Sequence, residues 1–81
     1  MSNPTKTTRT VHIETIFVNS KKLRKLSSAK VEQYALAYER GDMFPPIEVN
    51  DNGEFYTIHE GRHRYQAQLR AGYTYVDVEL R

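Results

Sequence analysis

The sequence contains no cysteine. That excludes a disulfide scaffold, a thiolate metal site and a cysteine nucleophile together. Long apolar runs are missing too. No run of aliphatic, Phe or Met residues exceeds three, as at Ile16 to Val18, so neither a membrane-spanning helix nor a signal-peptide core is expected. The expected address is the cytoplasm, with no membrane partner. Acid is scarce at the start of the chain: Glu14 is the single acidic residue of the first thirty, against seven Lys and Arg. The remaining residues carry nine acids and five arginines, so a net +6 is followed by a net −4. A basic first third of this kind points to an anionic partner. At 81 residues there is room for one small domain and one modest core.

Residues 1–9 lack apolar periodicity and read as a disordered tail; residues 10–81 read as a single α+β domain. Thr10 to Val18 is rich in β-branched residues and alternates Val11 and Ile13 with His12 and Glu14, the pattern of a half-buried strand in which His12 faces solvent. A basic loop with a helical turn follows. Ser27 or Ser28 can cap a helix running to Arg40, with Val31, Tyr34, Ala35 and Tyr38 on one face and Gly41 as its stop. Pro45-Pro46 then enforces an extended entry into a strand at Ile47–Val49. Asp51-Asn52-Gly53 is a turn signal joining it to a strand over residues 54–58. Residues 61–71 read as a second helix ended by Gly72, and Tyr75–Leu80 as a last strand with Val76, Val78 and Leu80 on one side. The expected architecture is a mixed sheet of about four strands with two main helices. Tyr34, Tyr38 and Tyr65 are expected in the core; Tyr73 and Tyr75 are expected at the surface.

The chemistry is concentrated where a strand runs through Gly61 into a helix whose first turn holds Arg62, His63 and Arg64. Such a turn presents free backbone N–H groups and the positive end of the helix dipole. Cationic side chains oppose that dipole unless an anion joins them, and phosphate is the usual one. Glu60 and Glu32 are the alternative partners for these arginines. The three histidines, His12, His59 and His63, include no pair at i, i+4, so no metal site is expected.

Phe44-Pro45-Pro46-Ile47-Glu48-Val49, Tyr56-Thr57-Ile58 and Gly61-Arg62-His63-Arg64-Tyr65 together resemble the ParB/sulfiredoxin superfamily domain, over about Val11 to Leu80. The resemblance implies a phosphate or nucleotide site at Gly61, Arg62, His63 and Arg64, with Lys30 contributed by the first helix. ATP or CTP with magnesium would be its cofactor. His63 and Arg64 match the His-Arg pair that holds ATP phosphates in sulfiredoxins. Arg62 stands where those enzymes have the catalytic cysteine and where ParB proteins have the glutamate of their CTP switch. Sulfinic acid reduction is thereby excluded, and a centromere-reading partition role is not expected of a chain that stops at Arg81. Stand-alone domains of this kind are similar to small phage and plasmid proteins.

Three functions follow as expectations. The first is binding of a nucleotide or nucleic acid, with Lys21, Lys22, Arg24 and Lys25 on the polynucleotide backbone. The second is a nuclease or NTPase using His63 and Glu60, with Glu60 or Glu32 on magnesium. The third is an inert interaction module for a host or partner protein, such as a phage inhibitor.

Overall fold

The computed structural model describes residues 7–81. In chain order the elements are β1 (Thr8–His12), β2 (Ile16–Phe17), α1 (Ser20–Arg24), α2 (Ser28–Glu39), β3 (Ile47–Asp51), β4 (Tyr56–Glu60), α3 (Arg62–Arg70) and β5 (Tyr75–Leu80). The five strands form one mixed sheet in the order β1-β5-β3-β4-β2. β1 pairs with β5 and β3 with β4 antiparallel; β3 with β5 and β2 with β4 run parallel.

The sheet has one strand more than expected, because Thr10 to Val18 is not continuous. A 3-10 turn at Ile13–Thr15 breaks it. His12 Nδ1 accepts from the Glu14 N–H at 3.1 Å, and Thr15 Oγ1 donates to the His12 carbonyl at 2.7 Å. These local bonds compete with continued strand pairing. Ile13 and Ile16 lie three residues apart, so the turn keeps both in the core at 4% exposure. The chain can therefore run from one edge of the sheet, where β1 pairs with β5, to the other, where β2 pairs with β4. His12 is accordingly half-buried rather than solvent-facing, with its ring 5.4 Å from that of Tyr75.

Thr8 and Arg9, assigned to the tail, lie in β1 opposite Glu79 and Val78. Their polarity reflects an exposed edge strand. Residues 1–6 of that tail lie outside the described residues. β4 starts two residues later than expected, because the turn extends to Phe55, whose carbonyl accepts from Asn52 N at 2.9 Å.

α2 forms as its spacing dictates. Ser27 is the N-cap, its Oγ accepting from Lys30 N at 3.3 Å. Val31, Ala35 and Tyr38 are buried, and Tyr34 is half-buried. α2 packs against α3 around Ala67, which has no exposed surface. The second cluster of core residues, with Ile47, Val49 and Val78 fully enclosed, lies between the sheet and Tyr65 of α3. α3 is thus fixed against the sheet and α2 against α3, and the N-termini of the two helices are brought side by side.

Candidate phosphate site at two helix N-termini

Gly61 is the N-cap of α3, at φ 114° and ψ 30° with no side-chain cap. This backbone region is open to glycine and strained for other residues. A Cβ at Gly61 would lie 2.9 Å from Arg64 Nη2 and 3.1 Å from its Cζ. The glycine therefore serves two ends: it turns the chain from β4 into α3, and it leaves space for the Arg64 guanidinium.

Arg62, His63 and Arg64 do not converge on one point. Successive helical residues are rotated by about 100°, and the three side chains take three directions. Arg62 lines a cleft of about 110 Å³ with Asn19, Lys22 and Thr57. His63 reaches to α2, where its Nε2 accepts from the Ser27 N–H at 3.3 Å. Arg64 turns to the β3 approach, its Nη1 donating to the carbonyls of Pro45 at 2.8 Å and Pro46 at 2.9 Å. The expected triple clamp is thus divided. Arg64 holds the Pro45-Pro46 segment. Arg62 and His63 face the helix ends.

His63 is the joint between the two helices. Ser27 caps α2, and its own N–H is directed at the imidazole. Burial pushes the His63 pKa below its ordinary value, and the nearby Lys30 charge pushes it further in the same direction. The N–H bond from Ser27 requires an unprotonated Nε2 and favours the neutral ring as well. Lys30 is exposed, with its Nζ 5.6 Å from the Tyr34 ring centroid. Around this point lie the first-turn N–H groups of a twelve-residue and a nine-residue helix, of which the Lys30 N–H is held by Ser27 Oγ.

The depressed pKa has a consequence for stability. The folded state binds fewer protons at His63 than the unfolded chain, so stability is full above about pH 6.5 and is lost as pH falls from the unfolded value through the lower folded pKa. Urea midpoints at pH 8 and pH 5.5 are expected to differ in that direction. In the His63→Gln variant the part of this difference due to His63 disappears. An unchanged pH dependence in the variant would show that His63 is not held neutral by the fold.

The remaining expected residues are distributed as follows. Asn19 caps α1, its Oδ1 accepting from Lys21 N at 2.9 Å. Lys22 shares the cleft of Arg62. Arg24 lines a second cleft, of about 260 Å³, with Arg70, Ser28 and Gln66. Lys21 and Lys25 are exposed. The four bases are therefore not one stripe. Glu60 and Glu32 are exposed and, among the described residues, pair with neither Arg62 nor Arg64; the ion pairs there include Arg40–Asp42 and Arg81–Glu48. No group of three His, Asp or Glu is placed to hold a metal ion among the described residues. His63, expected as a general acid or base of a nuclease or NTPase, has its Nε2 bonded to the Ser27 N–H, and Glu60, expected on magnesium, is exposed.

Sequence reasoning missed the Ser27 N–H, Tyr34 beneath Lys30, and Arg70. A signal existed for Tyr34, which follows Lys30 at i+4 on one helix face. None existed for Arg70, whose relation to Arg24 is purely tertiary.

The ParB N-terminal domain family model matches residues 1–81. The chain belongs to this family. Solved structures with the same fold include sulfiredoxin from Arabidopsis thaliana, at TM-score 0.80 and 21% identity over 93% of this chain and 84% of that one. The C-terminally truncated chromosome-partitioning protein ParB from Caulobacter crescentus, complexed with CTP-gamma-S, matches at TM-score 0.77 and 25% identity, over 93% of this chain and 44% of that one. A pNOB8-like ParB N-domain matches at TM-score 0.68 and 20% identity, over 99% of this chain and 29% of that one. The chain thus spans less than half of these ParB proteins. No curated protein matches it. Among the described residues no helix is long and apolar enough to cross a membrane.

Proposed function

We propose that this ParB N-terminal domain binds the phosphates of a nucleotide between the N-termini of α2 and α3. The carrying observation is the His63 Nε2 contact with the Ser27 N–H, which joins the two helix starts beside Lys30. Two dipoles and their free N–H groups favour negative charge at the same place. A phosphate oxygen entering there replaces the imidazole as acceptor for Ser27 N–H. The ring, released, takes up a proton and donates to the same phosphate, and Lys30 adds a point charge. Arg62 and Lys22, across the adjoining cleft, extend the positive surface toward further phosphates. Arg64 contributes by holding Pro45-Pro46 rather than by gripping phosphate with Nη1.

Family membership and the likeness to ParB structures support a nucleotide- or DNA-related role, and the Caulobacter protein was complexed with a CTP analogue. Magnesium fits as an ion carried with the nucleotide's phosphates, since such ions keep most of their water and need few protein ligands.

The test is an NMR titration of the labelled domain with CTP, ATP and a short DNA duplex at two salt concentrations. Nucleotide is expected to shift Ser27–Lys30 and Gly61–His63. Shifts confined to Lys21–Lys25, with DNA binding that collapses at higher salt, would mean generic polyanion binding and would overturn the reading.

A further inference from the structure

A third cleft lies away from the His63 site and has the opposite charge. It occupies about 210 Å³ where the C-terminal end of α2 and the loop to β3 meet the start of β5. Its walls include Tyr38, Phe44, Tyr73 and Tyr75. Tyr38 stacks on Phe44 at 4.3 Å between centroids and meets Tyr73 edge-on at 5.5 Å. Tyr73 is tied in place by donating its hydroxyl to the Tyr38 carbonyl at 3.2 Å. Tyr75 is 61% exposed.

Among the described residues, the charged ones lining this cleft are Asp42 and Asp77, and no base lines it. Each acid has a partner on one oxygen: Arg40 donates to Asp42 Oδ2 at 2.7 Å, and Thr10 to Asp77 Oδ1 at 2.6 Å. The lining also includes Gln68, on the inner face of α3. Gln68 is only 6% exposed, and its Oε1 is buried without a hydrogen-bond partner. An unsatisfied buried acceptor is costly, and this one is closed to solvent.

From these features we infer that the cleft receives an arginine side chain presented by an extended segment of a partner protein. Two independent features select that guest. Aromatic faces attract a cation, and a planar guanidinium stacks on them best. Two carboxylates supply the matching charge and exclude phosphate. The volume is below the ~300 Å³ at which drug-sized ligand pockets begin, which suits one long side chain better than a cofactor. The basic and acidic sites thus address different partners, and the second does not depend on the first.

The test uses the full chain, labelled for NMR, and capped five-residue peptides with a central arginine, citrulline or glutamate flanked by alanines. The arginine peptide is expected to shift the Gln68 side-chain amide and the Tyr73 and Val76 amides, leaving Gly61–His63 unmoved. Citrulline, a neutral near-isostere, is expected to bind about 10-fold more weakly, and glutamate not at all. Asp42→Asn weakens the arginine peptide several-fold. Equal shifts from all three peptides, no shifts at millimolar arginine peptide, or shifts at Gly61–His63 instead would overturn the proposal. So would movement of the same resonances with protein concentration alone, which would make a second copy of the chain the occupant.

Discussion

Replacing Gly61 by alanine is expected to destabilise the domain by about 2–3 kcal/mol, a fall of roughly 10–20 °C in thermal midpoint. Two costs combine. The alanine must adopt φ near 114°, and its Cβ meets the Arg64 guanidinium at 2.9 Å. The guanidinium cannot simply swing aside, because its Nη1 is bonded to two carbonyls. Gly72→Ala is the internal control. Its φ is also positive, at 85°, but nothing lies within 4 Å of the added Cβ. It pays the backbone cost alone, about 1 kcal/mol. Denaturant midpoints of the two variants, compared with the wild type, separate the two costs. Equal losses would show that Arg64 is free to move, and the assignment of Arg64 to the Pro45-Pro46 carbonyls would fail.

Much of the fold was legible. α2 was readable because Ser27, the apolar spacing from Val31 to Tyr38, and Gly41 all mark the same segment. The passage from β4 through Gly61 into α3 was readable because a glycine followed by three bases is an unusual helix start. The break at Ile13–Thr15 was hidden, since Ile13 and Ile16 satisfy a core in more than one backbone conformation. The early start of β1 was hidden because an exposed edge strand has no apolar alternation to show. In the site, residue types and spacing pointed to His63, and the family resemblance pointed to Lys30. They did not show where Arg64 goes. Helical rotation says that neighbouring side chains diverge, but only the tertiary position of Pro45 and Pro46 supplies Arg64's partners. The sorting of Lys22 to Arg62 and of Arg24 to Arg70 is tertiary in the same sense.

The second large effect concerns binding. Lys30→Ala and His63→Ala are each expected to weaken CTP binding by about 10–100-fold, the loss of one charge-assisted contact. Their unfolding midpoints at pH 8 should stay close to wild type, because Lys30 is exposed and His63 makes one long hydrogen bond to the backbone. Arg64→Met behaves in the opposite way: it lowers stability and changes CTP affinity only a few-fold. Calorimetric titration of the three variants, with thermal melts of the same samples, reads both quantities. Should Arg64→Met abolish binding in a domain that remains folded at the assay temperature, Arg64 belongs to the phosphate contacts after all. Should Lys30→Ala bind CTP as the wild type does, the junction of α2 and α3 is not the site.

The most direct measurement is the titration of the His63 ring itself, followed by NMR with and without saturating CTP. In the free domain burial and Lys30 hold the His63 pKa below the ordinary histidine value. A phosphate seated between the two helix N-termini takes over the Ser27 N–H and favours the imidazolium, so the pKa should rise above that ordinary value. By linkage, CTP should then bind more tightly at pH 6 than at pH 8. A His63 pKa that stays depressed in the presence of bound CTP would contradict the account, because the nucleotide would then lie elsewhere on the domain.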